Sequence, residues 1–149
     1  MISQFTPYTC VVDCFSMYLR ELGFAVYTSD ILYNHRDLCR NQSNDSTYGA
    51  MDPPKFELLI GRYLLNFIVT SVDDTTAITG ATNYGHGVFV FCGRYGGTEN
   101  HNHCIKIVGV RDNKYLIFTP GFPHGKHETV LPKVIKDDWF GSYCAIVRP

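Results

Sequence analysis

The sequence predicts an α+β domain, with helices in the N-terminal half and an antiparallel β-sheet in the C-terminal half. Two observations support this: apolar residues recur at helical spacing in two early segments, and short runs of β-branched and aromatic residues follow Gly87. Helices followed by strands are the element order of an α+β domain. The 149 residues, of which 45% are hydrophobic, are enough for one domain, 1–149, with one core.

The first helix is predicted over residues 10–22, where apolar side chains recur every three or four positions before Gly23 ends the helix. Thr9 is a candidate N-cap, and Pro7 keeps the preceding segment extended. Cys10 therefore takes the first helical position, where backbone N–H groups point outward. The residues off the apolar stripe are Asp13, Arg20 and Glu21.

Two further helices are expected before the sheet. A short one is predicted within residues 29–39, followed by a polar loop at 40–50. Asp52 and Pro53 form a typical helix start, and the helix that follows leads into a strand over 68–72. The apolar face of that helix consists of Phe56, Leu59, Ile60, Tyr63, Leu64 and Phe67.

Four strands are predicted from short apolar runs rich in β-branched and aromatic residues. Their ranges are 88–92, 104–110, 114–118 and 143–147. The middle two flank Arg111, Asp112 and Asn113, which predict a hairpin turn.

The charge pattern argues against several classes of partner. Lys and Arg number 13 against 14 Asp and Glu, and no basic stripe suited to a phosphate backbone is present. No apolar run approaches the roughly 20 residues that cross a bilayer, and no export signal is readable at the N-terminus. We therefore expect a soluble protein that binds neither nucleic acid nor membranes.

Six cysteines allow two interpretations, a disulfide framework or reduced thiols. Most of them stand inside apolar segments, where a free cysteine behaves as a small buried hydrophobe. Reduced thiols and a cytoplasmic working environment are therefore favoured. The cysteines are Cys10, Cys14, Cys39, Cys92, Cys104 and Cys144.

Cys10 and His103 are the candidate catalytic pair. A helix N-terminus and a neighbouring imidazolium both stabilise a thiolate, and Cys10 has the first of these by position. His103 opens an apolar strand, which would hold an imidazole rigidly beside the helix. Catalytic cysteine and histidine residues meet in space and not in sequence. Cys14, one turn after Cys10, is expected to be a core residue.

These residues resemble papain-like cysteine peptidases. Gln4 precedes Cys10 by six positions, as the family's oxyanion glutamine precedes its nucleophile, and Asn102-His103 followed by an apolar run resembles the histidine strand. The resemblance implies a papain-like fold with a central helix carrying the nucleophile. It also implies that Cys10 attacks, that His103 is its base and that Gln4 binds the oxyanion. Thr119 stands where an Asn or Asp ordinarily orients the histidine.

The orienting residue is left open by the sequence. A threonine hydroxyl can accept a hydrogen bond from an imidazole but carries no charge. Either Thr119 is a weak orienter of a Cys–His pair, or another acceptor serves. The alternatives are Asn102, Asp112 and Asp138.

Within the family, two branches compete. The Cys10–Cys14 pair and the Thr119-Pro120 dipeptide are similar to the bacteriocin-processing peptidases, which cut after double glycines. Asn102-His103, preceded by Gly87-Val-Phe-Val, would also suit papain proper, but the short length fits the bacteriocin-type branch better. The branch implies a protein or peptide substrate cut after small residues.

Such compact domains also resemble the toxic domains of bacterial effector proteins. Those effectors are delivered by a secretion system and are inhibited by an immunity protein. Because the motifs begin near Met1, we expect no inhibitory pro-segment.

Three alternatives remain. The same Cys–His pair could deamidate or transamidate glutamine, since the acyl-enzyme chemistry is shared. A catalytically inactive binding module is suggested by Val11, where a glycine usually follows the nucleophile, and by Thr119. A zinc site can be drawn from neighbouring side chains, but their spacing matches no zinc motif, so neither metal nor cofactor is expected. Those side chains are His86, Cys92, His101, His103 and Cys104.

Overall fold

The computed structural model describes residues 9–40, 49–92, 103–120, 126–136 and 143–149. Its α-helices are α1 (Cys10–Glu21), α2 (Thr28–Asn34), α3 (Pro53–Arg62), α4 (Thr75–Asn83) and α5 (Pro132–Lys136), and a 3-10 turn spans Arg36–Leu38. Its strands are β1 (Asn66–Thr70), β2 (Gly87–Cys92), β3 (His103–Arg111), β4 (Lys114–Thr119), β5 (Lys126–Val130) and β6 (Tyr143–Arg148).

The six strands form one antiparallel sheet in the order β1-β6-β2-β3-β4-β5. The predicted hairpin between β3 and β4 is confirmed. Its two turn residues, Asp112 and Asn113, have φ angles of 53° and 61°. Two successive positive φ angles characterise a type I′ turn, whose twist matches that of the flanking strands.

Helices cover both faces of the sheet. Helices α1, α2 and α3 bury one face, where Phe15 and Phe56 pack on Phe89. Helix α4 buries the opposite face through Ile78 and Ala81. The α+β prediction is therefore confirmed, with a second core that the sequence analysis did not expect. No helix in the described ranges combines the length and apolar content needed to cross a bilayer.

Helix α1 is the central helix of the first core. Gly23 ends it with a φ of 97°, and the Phe24 N–H bonds back to the Leu19 carbonyl at 2.9 Å, which is a Schellman closure. Its first two turns are buried on all sides. The prediction that Asp13 lies off the buried stripe is therefore wrong, because its carboxylate is enclosed between α1 and α2.

Helix α3 begins at Pro53 after the N-cap residue Asp52, as predicted. Leu64, predicted on its apolar face, is instead 89% exposed with a φ of 59°, because the helix ends before it and the chain turns into β1. At the predicted loop, the Arg40 N–H bonds to the Ala50 carbonyl at 3.0 Å, which joins the loop ends. Residues 41–48 of that loop lie outside the described residues.

Candidate active site

Cys10 lies against the first residues of β3. It is the first residue of α1, and its Sγ atom accepts a hydrogen bond from the backbone N–H of Cys104 at 3.3 Å. That nitrogen is bonded to the carbonyl carbon of His103, so standard geometry places the His103 Cα within about 6 Å of the sulfur. The structure thus brings the two residues together from distant parts of the chain.

This meeting point is the end of the β3–β4 hairpin opposite its turn. The described pairing of the two strands starts at Lys106 and Phe118, and Cys104 stands two residues before Lys106. Thr119 follows Phe118 and ends β4 at the same side of the sheet. Three of the four site residues predicted from sequence, Cys10, His103 and Thr119, therefore lie near one edge of the α1–sheet contact. The fourth, Gln4, lies outside the described residues.

The three described site residues are enclosed, with exposed fractions of 2% for Cys10, 1% for His103 and 2% for Thr119. Burial raises the pKa of the Cys10 thiol to about 12, and the hydrogen bond from the Cys104 N–H opposes that shift only in part. From the sequence, the helix N-terminus is expected to favour the thiolate. In this conformation desolvation outweighs that effect, so the thiol is protonated.

The Thr119 hydroxyl does not orient the imidazole in this structure. Its Oγ1 is buried and forms no hydrogen bond within the described residues. Asp112 is ruled out as an orienter, because it follows the other end of the nine-residue strand β3. At the usual rise per residue it is roughly 30 Å from His103. The remaining two candidates, Asn102 and Asp138, lie outside the described residues.

A buried polar cluster stands one turn after Cys10, and the sequence analysis missed it. The carboxylate of Asp13 accepts hydrogen bonds from Thr9 Oγ1 at 3.0 Å and from Thr28 Oγ1 at 2.6 Å. Ser16 Oγ donates to the Asp13 carbonyl at 3.0 Å. These bonds fix the start of α1 to α2, and so they help to fix the position of Cys10. Thr9 and Ser16, which flank Asp13 at helical spacing, were a signal for this cluster, whereas nothing in the sequence pointed to Thr28.

The other predictions around the site concern thiols and metals. Cys14 is buried, and its Sγ donates to the Cys104 carbonyl at 3.7 Å, as suits a core residue. The five cysteines whose side chains are described are free thiols. The described side chains contain no group of three or more potential metal ligands. His101 and the Cys92 side chain, two members of the zinc set considered from sequence, lie outside that description.

Comparison with known proteins shows a structural likeness only. No protein-family model and no curated protein matches the sequence. The peptidase domain of Streptococcus ComA, a bifunctional ABC transporter involved in quorum sensing, superposes with a TM-score of 0.72 at 11% identity, over 99% of this chain and 96% of that one. A protein described as a C39-like peptidase from Bacillus anthracis gives 0.70 at 14%, over 100% and 94%. The predicted papain-like fold is confirmed.

Proposed function

We propose that the chain is a cysteine peptidase in which Cys10 is the nucleophile and His103 is its base. One observation carries this proposal: the Cys104 N–H bonds to Cys10 Sγ, directly after His103 in the strand. This contact joins the two segments of the chain on which the sequence resemblance depends. It occurs in a fold shared with two peptidase structures.

The protonated state of Cys10 determines how such an enzyme works. Because burial keeps the thiol neutral, His103 removes the thiol proton as Sγ attacks the substrate carbonyl, and not beforehand. The imidazolium then gives that proton to the leaving amine, and the C–N bond breaks to leave an acyl-enzyme. Water, deprotonated by His103, hydrolyses the thioester and releases the acid.

The start of α1 is suited to bind the oxyanion of that reaction. The first hydrogen bond within the helix joins the Asp13 N–H to the Thr9 carbonyl at 2.8 Å. The backbone N–H groups of residues 10–12 come before this bond, so the hydrogen bonds within the helix do not use them. In our proposal the Cys10 amide and the Gln4 side chain donate to the oxyanion as the tetrahedral intermediate forms.

For the substrate, we propose a protein or peptide cut after small residues, with Gly-Gly as the first sequence to test. This rests on the sequence resemblance to bacteriocin-processing peptidases and agrees with the fold shared with the ComA peptidase domain. A toxic role inside a target-cell cytoplasm, neutralised by an immunity protein, is a further hypothesis from sequence. Expression in bacteria of the wild type beside Cys10→Ala tests it, because only a toxic peptidase would arrest growth through Cys10.

The mass of the products tests the reaction itself. The protein is incubated with a peptide library that includes Gly-Gly peptides, and the products are weighed. A peptidase yields two fragments, whereas a deamidase yields an intact peptide heavier by about one dalton, and a transamidase yields a conjugate. Fragments that form with Cys14→Ala but not with Cys10→Ala support the proposal. Intact peptides under all conditions would support the inactive binding module instead.

A further inference from the structure

Strand β1 forms one edge of the sheet and leaves apolar side chains in solvent. It pairs with β6 on one side, and no described strand pairs with its other side. Ile68 and Val69, consecutive residues that point to opposite faces, are 52% and 51% exposed. An edge strand of this kind presents unpaired backbone groups and apolar side chains together, which favours pairing with another strand.

The opposite edge of the sheet is protected in the usual way. Strand β5 carries Lys126 and Glu128, and charged side chains on an edge strand discourage pairing with another chain. Strand β1, in contrast, contains no charged residue and no proline, and its register with β6 runs without a bulge from Asn66 to Thr70. The two edges of one sheet thus differ in the features that normally prevent association.

We propose that β1 pairs with β1 of a second copy of this chain, in antiparallel orientation about a two-fold axis at Ile68. The strand reads Asn-Phe-Ile-Val-Thr, which is polar at both ends and apolar in the middle. Antiparallel pairing centred on Ile68 places Phe67 opposite Val69 of the second copy, and Asn66 opposite Thr70. Aromatic residues opposite β-branched residues are favourable cross-strand pairs, and the polar ends can hydrogen-bond.

The charges beside the strand favour the antiparallel orientation. Arg148, which is exposed, lies beside Asn66 in the β1–β6 pairing, and exposed Asp73 follows the other end of β1. Antiparallel association brings the basic end of one copy towards the acidic end of the other. Parallel association would bring like charges together. The charge distribution therefore selects the same arrangement as the side-chain pattern.

The surroundings of β1 leave room for a second sheet. Helix α4 packs mainly on β2 and β3, and α3 contacts β1 on the other face of the sheet. Between α4 and the edge lies a cavity of about 290 Å³ lined by Ile68, Ala81 and Tyr84, among others. Tyr84 is 82% exposed, so an aromatic part of the rim is accessible from solvent. Residues directly opposite each other share a face, so Ile68 of the second copy would lie beside this rim.

Sedimentation equilibrium over a wide range of protein concentration tests the pairing. The wild-type chain should shift from monomer to dimer as concentration rises, because a contact between two five-residue strands is small, and small interfaces are weak and reversible. Ile68→Lys should raise the dimer dissociation constant by roughly tenfold or more, since the two-fold axis sets the lysines directly opposite each other. Leu131→Lys is the matched control: Leu131 is 50% exposed and follows β5 at the opposite edge of the sheet, so its replacement should leave dimerisation unchanged.

A mixing experiment distinguishes this geometry from other dimers. Residue 68 meets itself across the axis, so Ile68→Lys and Ile68→Glu should each dimerise poorly alone and form a heterodimer when mixed. Recovery of the dimer on mixing supports the two-fold axis at Ile68. A wild type that stays monomeric at every concentration would overturn the proposal, as would dimerisation of Ile68→Lys at wild-type strength. Failure of the two variants to associate with each other would rule out this register.

Discussion

The backbone N–H of Cys104 donates a hydrogen bond to the Sγ atom of Cys10, with 3.3 Å between nitrogen and sulfur. An amide aimed at a sulfur favours the thiolate, but burial of Cys10 raises the thiol pKa by more than this bond lowers it. The thiol of Cys10 is therefore protonated, and in the proposed mechanism His103 deprotonates it. Four predictions follow from this site and its neighbours.

Replacement of either member of the pair should abolish cleavage. Cys10→Ala removes the proposed nucleophile, and His103→Ala removes the proposed general base, a role whose typical contribution is about 10²–10⁴ in rate. Cys14→Ala is the matched control, because Cys14 is also buried on α1 but bonds to the Cys104 carbonyl. Initial rates of peptide cleavage are compared after circular dichroism has shown that each variant is folded. Retained activity in His103→Ala would remove that residue from the mechanism.

Gln4→Ala should lower turnover by about 10²–10³, the usual effect of losing one oxyanion donor. Because such a donor acts mainly in the transition state, the loss should appear in kcat more than in KM. The measurement is a steady-state comparison with the wild type. Gln4→Glu serves as a second variant, since it keeps the size of the side chain but replaces the amide donor. A wild-type rate in Gln4→Ala would assign the oxyanion to other groups.

The buried thiols should make the protein less stable in alkaline solution. Burial raises the pKa of Cys10 and Cys144 from 9.0 to about 12. Below pH 9 these thiols are protonated in both the folded and the unfolded protein, so they do not change the free energy of unfolding. As pH rises from about 9 towards 12, the unfolded thiols ionise while the folded ones stay protonated, so the free energy of unfolding falls. Urea unfolding across this range should show a smaller fall for Cys10→Ala than for the wild type; equal falls would contradict the burial of Cys10.

Loss of the hydroxyl should change the free energy of unfolding in opposite directions at two buried threonines. Thr119→Val removes a buried hydroxyl that has no hydrogen bond within the described residues, and should raise the free energy of unfolding by about 1 kcal/mol. Thr9→Val removes the donor to Asp13 and should lower it by a similar or larger amount, because that acceptor is a carboxylate. Urea unfolding measures both. A slower cleavage rate in Thr119→Val would instead assign its hydroxyl to His103 during turnover.

The parts of the fold with strong local patterns were predictable from sequence. The apolar stripe of α1 and its glycine stop gave bounds within one residue of those observed, and the β-branched runs located β2, β3, β4 and β6. Helix α4 was missed because its sequence, Thr-Thr-Ala-Ile-Thr-Gly-Ala-Thr-Asn, is rich in weak helix formers. Strand β5 was missed because it is short, polar and exposed at an edge.

In the candidate site, too, one part could be predicted from sequence and another could not. The positions of Cys10 and His103 were predictable, since one follows from a helix start and the other from a strand start. The environment of those residues was not, because it depends on contacts between distant segments. The carboxylate of Asp13 is buried by Thr28 of α2, which no periodicity in α1 could reveal. Burial likewise sets the pKa of Cys10, and burial depends on the packing of α1 against β3.

Strand β6 lies between β1 and β2, although it follows both of them by more than fifty residues in the chain. During synthesis, β1 therefore lacks its partner among the described strands until residues 144–148 have been made, and its apolar side chains stay exposed to solvent until then. Contacts so distant in sequence close late and slow folding. The nascent chain would be most prone to aggregate in that interval, and a variant that weakens the β1–β6 pairing should lower the soluble yield before it alters any property of the finished protein.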